Sequence, residues 1–378
     1  MIVSSNGNAV EIALIENSKL VEIHKQKSTD NFTVGDVFLG KIKRITPALN
    51  AAFVDIGHKK DAFLHYTDLG PKVRTLQKFA QLTANGKLKY ATLDKFRNEP
   101  EIVKTGKIDQ VFDKKDFVLA QVLKEPISTK GPRLSCEITI PGRLLVITPF
   151  SDVIAVSKKI STSEERKRLQ VLLESIKPKN FGVIVRTAAE GKSVADLLGE
   201  IQMLMGRWEE ICDQLKTAKP PFKLLSELDK TSSLIRDLLT DKYNRIVVDD
   251  KEMYDTTRAY LQEIAPDLVN IVQLHKGNRG VFDVYGVTKQ IKSSFGKTAT
   301  MASGAYIVIE HTEAMHVIDV NSGNKMPSQN QADAVMKVNM ESAEEVARQL
   351  RLRDIGGIII IDFIDMRDAE HRKKLVSA

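Results

Sequence analysis

Four consecutive isoleucines, Ile358 to Ile361, run without a break into Asp362. β-Branched side chains are stiff at χ1 and crowd a helix, so the run reads as a strand. Without polar alternation, it reads as one buried on both faces. The segment before it has another period. From about Gln331 to Arg353, Val335, Val338, Ser342, Val346 and Leu350 fall on one helical stripe. Gly356-Gly357 is placed to stop that helix as a left-handed cap. Upstream, Ala305 to Glu310 and Met315 to Asn321 read as strands joined by a tight turn at His311-Thr312. A strand–helix–strand unit of this kind belongs to an α/β layer and brings two strand ends to a common rim.

Those ends carry acids. Asp319 and Asn321 lie two apart in HVIDVNS and so project from one sheet face. Asp362 emerges where the isoleucine strand ends. Two carboxylates at one rim repel unless a cation lies between them, and hard oxygen ligands with open positions suit Mg²⁺. The competing reading is that both are strand-terminal aspartates capping neighbouring loops. Asp365 falls on the opposite strand parity from Asp362 and reads as structural.

The rest of the chain divides by pattern. Ala9 to Glu16 and Lys19 to His24 form a hairpin pattern around Asn17-Ser18. From Val34, short apolar runs separated by Gly35, Gly40, Pro47 and Gly57 have the spacing of a small β-barrel. A basic, partly helical stretch from Pro71 to about Thr105 interrupts it, and strands resume near Ile108 and at Phe117 to Leu123. Strands at Arg143 to Ile147 and Phe181 to Val185 flank a helix at Ser163 to Ile176. Helices at Ser193 to Leu215, Ser232 to Leu239 and Tyr254 to Ile264, with a strand at Arg245 to Asp249, continue the alternation.

Charge adds a partner class. The 378 residues carry a formal net charge of +7, and between Pro71 and Lys115 eleven Lys and Arg face five Asp and Glu, which raises the odds of a polyanionic partner. Phe53 and Phe63 sit among Lys41, Lys43, Arg44, Lys59 and Lys60. Aromatic platforms beside cations are what single-stranded nucleic acid needs, though composition alone favours the alternative that both rings are core. Arg186-Thr187, directly after a strand, offers a guanidinium fork and a hydroxyl suited to a phosphate monoester; a structural strand-end arginine is the alternative. Glu190-Gly191-Lys192-Ser193 resembles the end of a phosphate-binding loop but lacks the required earlier glycine, so an ATPase reading fails. Two distant cysteines, Cys136 and Cys212, argue against a disulfide framework or an internal zinc site. No apolar run is long enough to span a membrane and no signal peptide is evident, so a cytoplasmic location is expected.

The runs VGDVFLGKIKRITPALNAAFVDIG, FGVIVRTAAEGKS, HVIDVNS and ARQLRLRDIGGIIIIDFIDM closely resemble the ribonuclease E/G family, in the family's order and over nearly the whole chain. The resemblance implies an α/β composite: an RNase H-like subdomain from residues 1–34 and 230–297, an S1-type OB barrel at 35–135, a 5′-monophosphate sensor at 136–229 and a DNase I-like catalytic subdomain from 298 to 378. It implies an endoribonuclease cutting single-stranded RNA to 5′-phosphate and 3′-hydroxyl ends, in processing or decay. Asp319 and Asp362 match the family's Mg²⁺ ligands, and Asn321 matches a residue that orients the scissile phosphate or the metal's water. Phe53, Phe63 and Lys130 match RNA contacts; Gly142, Val146, Arg186 and Thr187 match the 5′-phosphate pocket. The chain stops at Ala378, before the remainder of the catalytic subdomain, another sensor arginine and the paired-cysteine CPxC zinc link of family members. Zinc is therefore not expected in this chain, a homo-oligomer is expected for a full-length form, and a truncated RNA-binding protein without cleavage activity is the alternative.

Overall fold

A computed structural model describes all residues except 7, 8, 28–31, 89–91, 115, 240, 241 and 324–330; Lys89 of the basic stretch and Lys115 beyond it thus lie outside the described residues. The chain divides into two compact units, one made of Met1–Thr29 with Asp241–Ala378, the other of Asp30–Thr240. The first begins with an antiparallel meander, β1 (Ile2–Ser5), β2 (Ala9–Glu16) and β3 (Lys19–Lys27). The hairpin read from sequence is present. Its turn residues Asn17 (φ 48°) and Ser18 (φ 66°) are both left-handed, the twist a two-residue hairpin turn requires.

The second unit opens with a closed five-stranded barrel, consistent with an OB-like fold. β4 (Val37–Thr46), β5 (Ala51–Asp55), β6 (Ala62–His65), β7 (Phe117–Lys124) and β8 (Arg133–Ser135) pair in the order β4-β5-β6-β8-β7, and β4 returns to β7. Strand parity separates its two faces. Ala52, Val54, Ala62 and Leu64 point into the core, and Phe53, Phe63 and His65 point out. The basic stretch forms a helix, α1 (Val73–Ala84), between β6 and β7. Ile108–Gln110, expected to resume a strand, is a 3₁₀ turn instead. Asn50 explains the difference: its side chain accepts from the Ile108 N–H at 2.8 Å and donates to the Gly106 carbonyl at 3.0 Å, taking backbone groups a ladder would use.

Beyond the barrel come β9 (Ile140–Pro141), β10 (Leu145–Pro149), β11 (Ile154–Val156), α2 (Ser163–Ile176), β12 (Phe181–Val185), α3 (Val194–Leu215), β13 (Phe222–Leu225) and α4 (Lys230–Leu238). β11, β12, β10 and β9 form one sheet, while β13 pairs with β4 at the barrel. α3 starts on a capping box in which Ser193 and Asp196 bond each other's backbone N–H. Its Trp208 is fully buried, stacked on Phe79 of α1 with ring centroids 5.4 Å apart and edge-on to Phe150 and Phe181 at 6.0 Å. The barrel insertion is thereby locked to the following sheet by aromatic packing.

The first unit resumes with β14 (Ile246–Val248), α5 (Lys251–Ile264), β15 (Val272–Leu274), α6 (Val281–Val284) and α7 (Val287–Ser294). β14 pairs in parallel with β1, giving the sheet order β15-β14-β1-β2-β3. A second sheet, β16 (Thr298–Thr300), β17 (Tyr306–His311), β18 (Met315–Asn321) and β19 (Ile358–Asp362), is ordered β16-β17-β18-β19, with α8 (Gln331–Leu352) crossing between its last two strands and α9 (Ala369–Ser377) following. Two expectations change. β19 is buried on one face only: Ile359 and Ile361 pack into the core, and Ile358 (61% exposed) and Ile360 (48%) face outward from an edge strand. The cap of α8 is Asp354 (φ 53°), not the glycine pair. Ile355 N–H reaches the Leu350 carbonyl at 2.9 Å, the 6→1 bond of a Schellman motif, and Ile355 packs into the same cluster as Leu350. An aspartate can hold a left-handed conformation that costs most residues about 1 kcal/mol.

α8 is tied to the N-terminal meander through its arginines. Arg348 Nη1 donates to the Leu20 carbonyl at 2.7 Å, and Arg351 pairs with Glu22 and with Glu16, the latter at 2.9 Å. Burial pushes the Glu22 carboxyl up, but bonds from Arg351 and His24 outweigh it and hold it below its ordinary value of 4.5. A depressed carboxylate stabilises the fold above its unfolded pKa, and that contribution disappears as pH falls through the lowered value. Glu22→Gln is expected to cost about 0.5–1 kcal/mol near neutral pH, discounted for solvent screening. It should also flatten the acid side of the stability–pH curve. Denaturant unfolding across pH measures both, and an unaltered acid limb would contradict the role.

Candidate functional site

Parity on β18 and β19 decides where the acids stand. Ile318 and Val320 are buried under α8, so Asp319 and Asn321 take the outer face; Ile359 and Ile361 turn inward, so Asp362 joins them. The two strands are parallel and in register, with Asp319 directly opposite Asp362. Neighbouring strands lie about 4.8 Å apart, which sets the spacing of the two residues. Both side chains are exposed. Asn321 Nδ2 donates to Asp319 Oδ2 at 2.7 Å, fixing one carboxylate and leaving the amide oxygen on the same face. After Asp362 the chain is anchored from below: Asn339, fully buried in α8, donates to the Ile364 carbonyl at 2.8 Å and accepts its N–H at 3.1 Å. Among the described residues no group of three or more His, Cys, Asp or Glu is arranged around a common metal position. Two carboxylates and an amide oxygen on an open face are oxygen donors that could hold a hard cation keeping several of its waters, as Mg²⁺ does.

On the barrel, one row of cross-strand partners crosses four strands. A bulge at Lys43 sets Arg44 opposite Phe53, Phe53 is opposite Phe63, and Phe63 is opposite Arg133. The Arg44 guanidinium lies 4.4 Å from the Phe53 ring centre, and the two phenyl rings meet edge-on at 5.7 Å. Neither ring belongs to the core cluster; both are half-buried at the surface. They line a cleft of about 990 Å³ together with Lys59, Lys60, Lys124 and Lys130. Phe53, Phe63 and Lys130, separate in sequence, therefore share one cationic, aromatic cleft.

The third set gathers around the β9–β10 turn. Arg186, at the end of β12, donates through Nη1 to the Gly142 carbonyl at 2.8 Å and to Asp237 Oδ1 at 2.7 Å. Thr187 is exposed beside it, its hydroxyl 3.4 Å from that of Ser157. Val146 is half-buried on β10, opposite Ile184 of β12. Behind the turn, Glu200 of α3 is buried and accepts the N–H groups of Arg143, Leu144 and Leu145; burial pushes its carboxyl up despite those bonds. Gly142 has to be glycine, because a Cβ there would sit 2.2 Å from Glu200 Oε1.

Comparison with known proteins decides what these surfaces belong to. A sequence model described as the Ribonuclease E/G family matches residues 139–378. Ribonuclease G of Haemophilus influenzae is 32% identical over 378 residues, covering 100% of this chain and 73% of that protein. The chain belongs to the ribonuclease E/G family. Ribonuclease G of Escherichia coli K12 is likewise 32% identical, over 376 residues, and ribonuclease E of a Synechocystis strain is 35% identical over 92% of this chain and 48% of its own length. Within this family member, sequence reasoning missed Arg133, Glu200 and Asp237. Arg133 could have been suspected from the basic residues beside Lys130. Asp237 carried no local signal for this site, since Arg186, the partner that brings it here, lies 51 residues away.

Gly142→Ala is expected to force the turn off Glu200 and to destabilise the protein by about 1–3 kcal/mol, the usual cost of overpacking. Thermal or denaturant unfolding reads it, and wild-type stability would mean the turn is free to shift.

Proposed function

We propose that this chain hydrolyses internal phosphodiesters of single-stranded RNA, with Mg²⁺ held by Asp319 and Asp362, as a step in RNA processing or decay. The observation that carries this reading is the in-register pairing of the two aspartates on one open sheet face. Family membership supports a ribonuclease, and the oxygen-only donor set supports a hard divalent cation. Bound there, Mg²⁺ supplies Lewis-acid polarisation of the phosphate and a more acidic water. The chain's own contributions are distinct. Asp319 and Asp362 provide the ligand oxygens, and Asn321 restrains the Asp319 carboxylate through a hydrogen bond to one of its oxygens. Water attacks phosphorus, the P–O3′ bond breaks, and the products are a 3′-hydroxyl and a 5′-phosphate.

Substrate holding falls to the barrel cleft, read as an S1-type surface. Bases stack on Phe53 and Phe63 while Lys59, Lys60 and Lys130 neutralise phosphates. Arg186 and Thr187, in what we take to be the 5′-sensor region, would read a terminal monophosphate. Residues 1–34 with 230–297 are taken as the RNase H-like part and 298–378 as the catalytic part.

Asp319→Asn and Asp362→Asn should each lower cleavage of a single-stranded oligomer on the order of a thousandfold, since several kcal/mol of charge stabilisation are lost. Binding of the same oligomer should persist. Asn321→Ala, which removes only an orienting bond, should lower cleavage about 10–100-fold. Single-turnover assays distinguish these; undiminished cleavage by either aspartate variant would remove the basis of the mechanism. Phe53→Ala should instead weaken oligomer binding by about 1–3 kcal/mol. A filter-binding titration with an unchanged affinity would take Phe53 out of the RNA path.

A further inference from the structure

Arg186 is useful to a phosphate only if its guanidinium is aimed, and a long arginine side chain is mobile unless something holds it. Both of its hydrogen bonds, to the Gly142 carbonyl and to Asp237, leave from Nη1. Among the described residues neither Nε nor Nη2 makes one. That Nε–Nη2 edge is a pair of parallel donors, the fork that a phosphate takes in a bidentate contact.

Asp237 is itself anchored. Arg236 Nε donates to its Oδ1 at 3.0 Å, and Arg236 is buried and paired with the buried Glu227. Burial pushes the Asp237 carboxyl up, but the bonds and charges of Arg236 and Arg186 outweigh it and hold the group below the usual carboxylate range. Two arginines and two acids thus alternate in one chain, Arg186–Asp237–Arg236–Glu227, whose formal charges cancel. Recognition of a phosphate at Arg186 therefore has to come from direction more than from surplus positive charge.

We propose that Asp237 is a positioning residue for 5′-monophosphate recognition, holding Arg186 by one nitrogen so that the other edge of the guanidinium faces the RNA end. This rests on the reading of Arg186 and Thr187 as the monophosphate site. The opposite role, a carboxylate that competes with phosphate for Arg186, would place Asp237 on the edge that the structure leaves open.

The two roles differ in sign. The full chain, kept free of divalent cations to prevent cleavage, is titrated with one single-stranded RNA oligomer carrying either a 5′-monophosphate or a 5′-hydroxyl. The readout is the ratio of the two dissociation constants by fluorescence anisotropy, so each variant's 5′-hydroxyl binding serves as its own control for folding. Wild type is expected to prefer the monophosphate about tenfold, the size of one charge-assisted contact. Asp237→Ala should bring the ratio close to one. Asp237→Asn, which keeps an acceptor oxygen for Nη1, should retain clearly more preference than Asp237→Ala. An Asp237→Ala ratio equal to or above wild type overturns the positioning role, and so does an Asp237→Asn ratio no better than that of Asp237→Ala. No preference in wild type would instead overturn the monophosphate reading beneath it, so the two failures are distinguishable.

Discussion

Side-chain parity in a parallel strand pair is the constraint on which the candidate catalytic face depends. α8 covers one side of β18 and β19, and the hydrophobic effect puts Ile318, Val320, Ile359 and Ile361 under it. Once those four are inward, the residues between and beyond them have no choice of face. Asp319 and Asp362 are pushed outward together, and the in-register ladder sets them opposite one another. Slipping β19 by one residue would bury Asp362 and expose Ile361, a cost that makes the register self-enforcing. The acids are held in place by the apolar residues beside them.

The same logic explains what could be read in advance. Asp319, Asn321 and Asp362 were legible because strand periodicity is local and each acid interrupts an apolar run. Phe53 and Phe63 were legible as candidates, but only the barrel's closure decided that they face outward. The isoleucine run misled because a string of apolar residues looks the same whether one strand face or both are covered; the sheet's edge decides that. The Ile108 strand failed because Asn50, distant in sequence, captures its backbone. Capping by Asp354 was missed because glycine is the usual left-handed residue and two glycines stood nearby. β1 was overlooked because four residues with two serines have little pattern of their own and gain a second partner only in β14.

The surroundings of Arg186 were the least legible of all, and their physics says why. Arg186 is held by Asp237 on α4 and by the Gly142 carbonyl in the turn between β9 and β10, and Glu200 on α3 holds that turn in place. Buried or half-buried charges are tolerated only when each finds a partner, so such a cluster is specified by pairs that sequence separation hides. A motif reader sees Arg186 and Thr187. The hydrogen bonds that hold Arg186 reach Asp237, a residue no motif contains.

One further consequence follows from the parallel pairing of β1 with β14. The unit that carries the barrel is inserted between these strands, so a ribosome delivers β1, β2 and β3 long before their partner exists. At about 5–20 residues per second, the wait for β14 is on the order of ten seconds or more. During synthesis the inserted unit has all its residues first and can close its own core. The outer unit must remain an unfinished three-stranded sheet, with its β1 edge open to any passing strand, until the chain comes back to it.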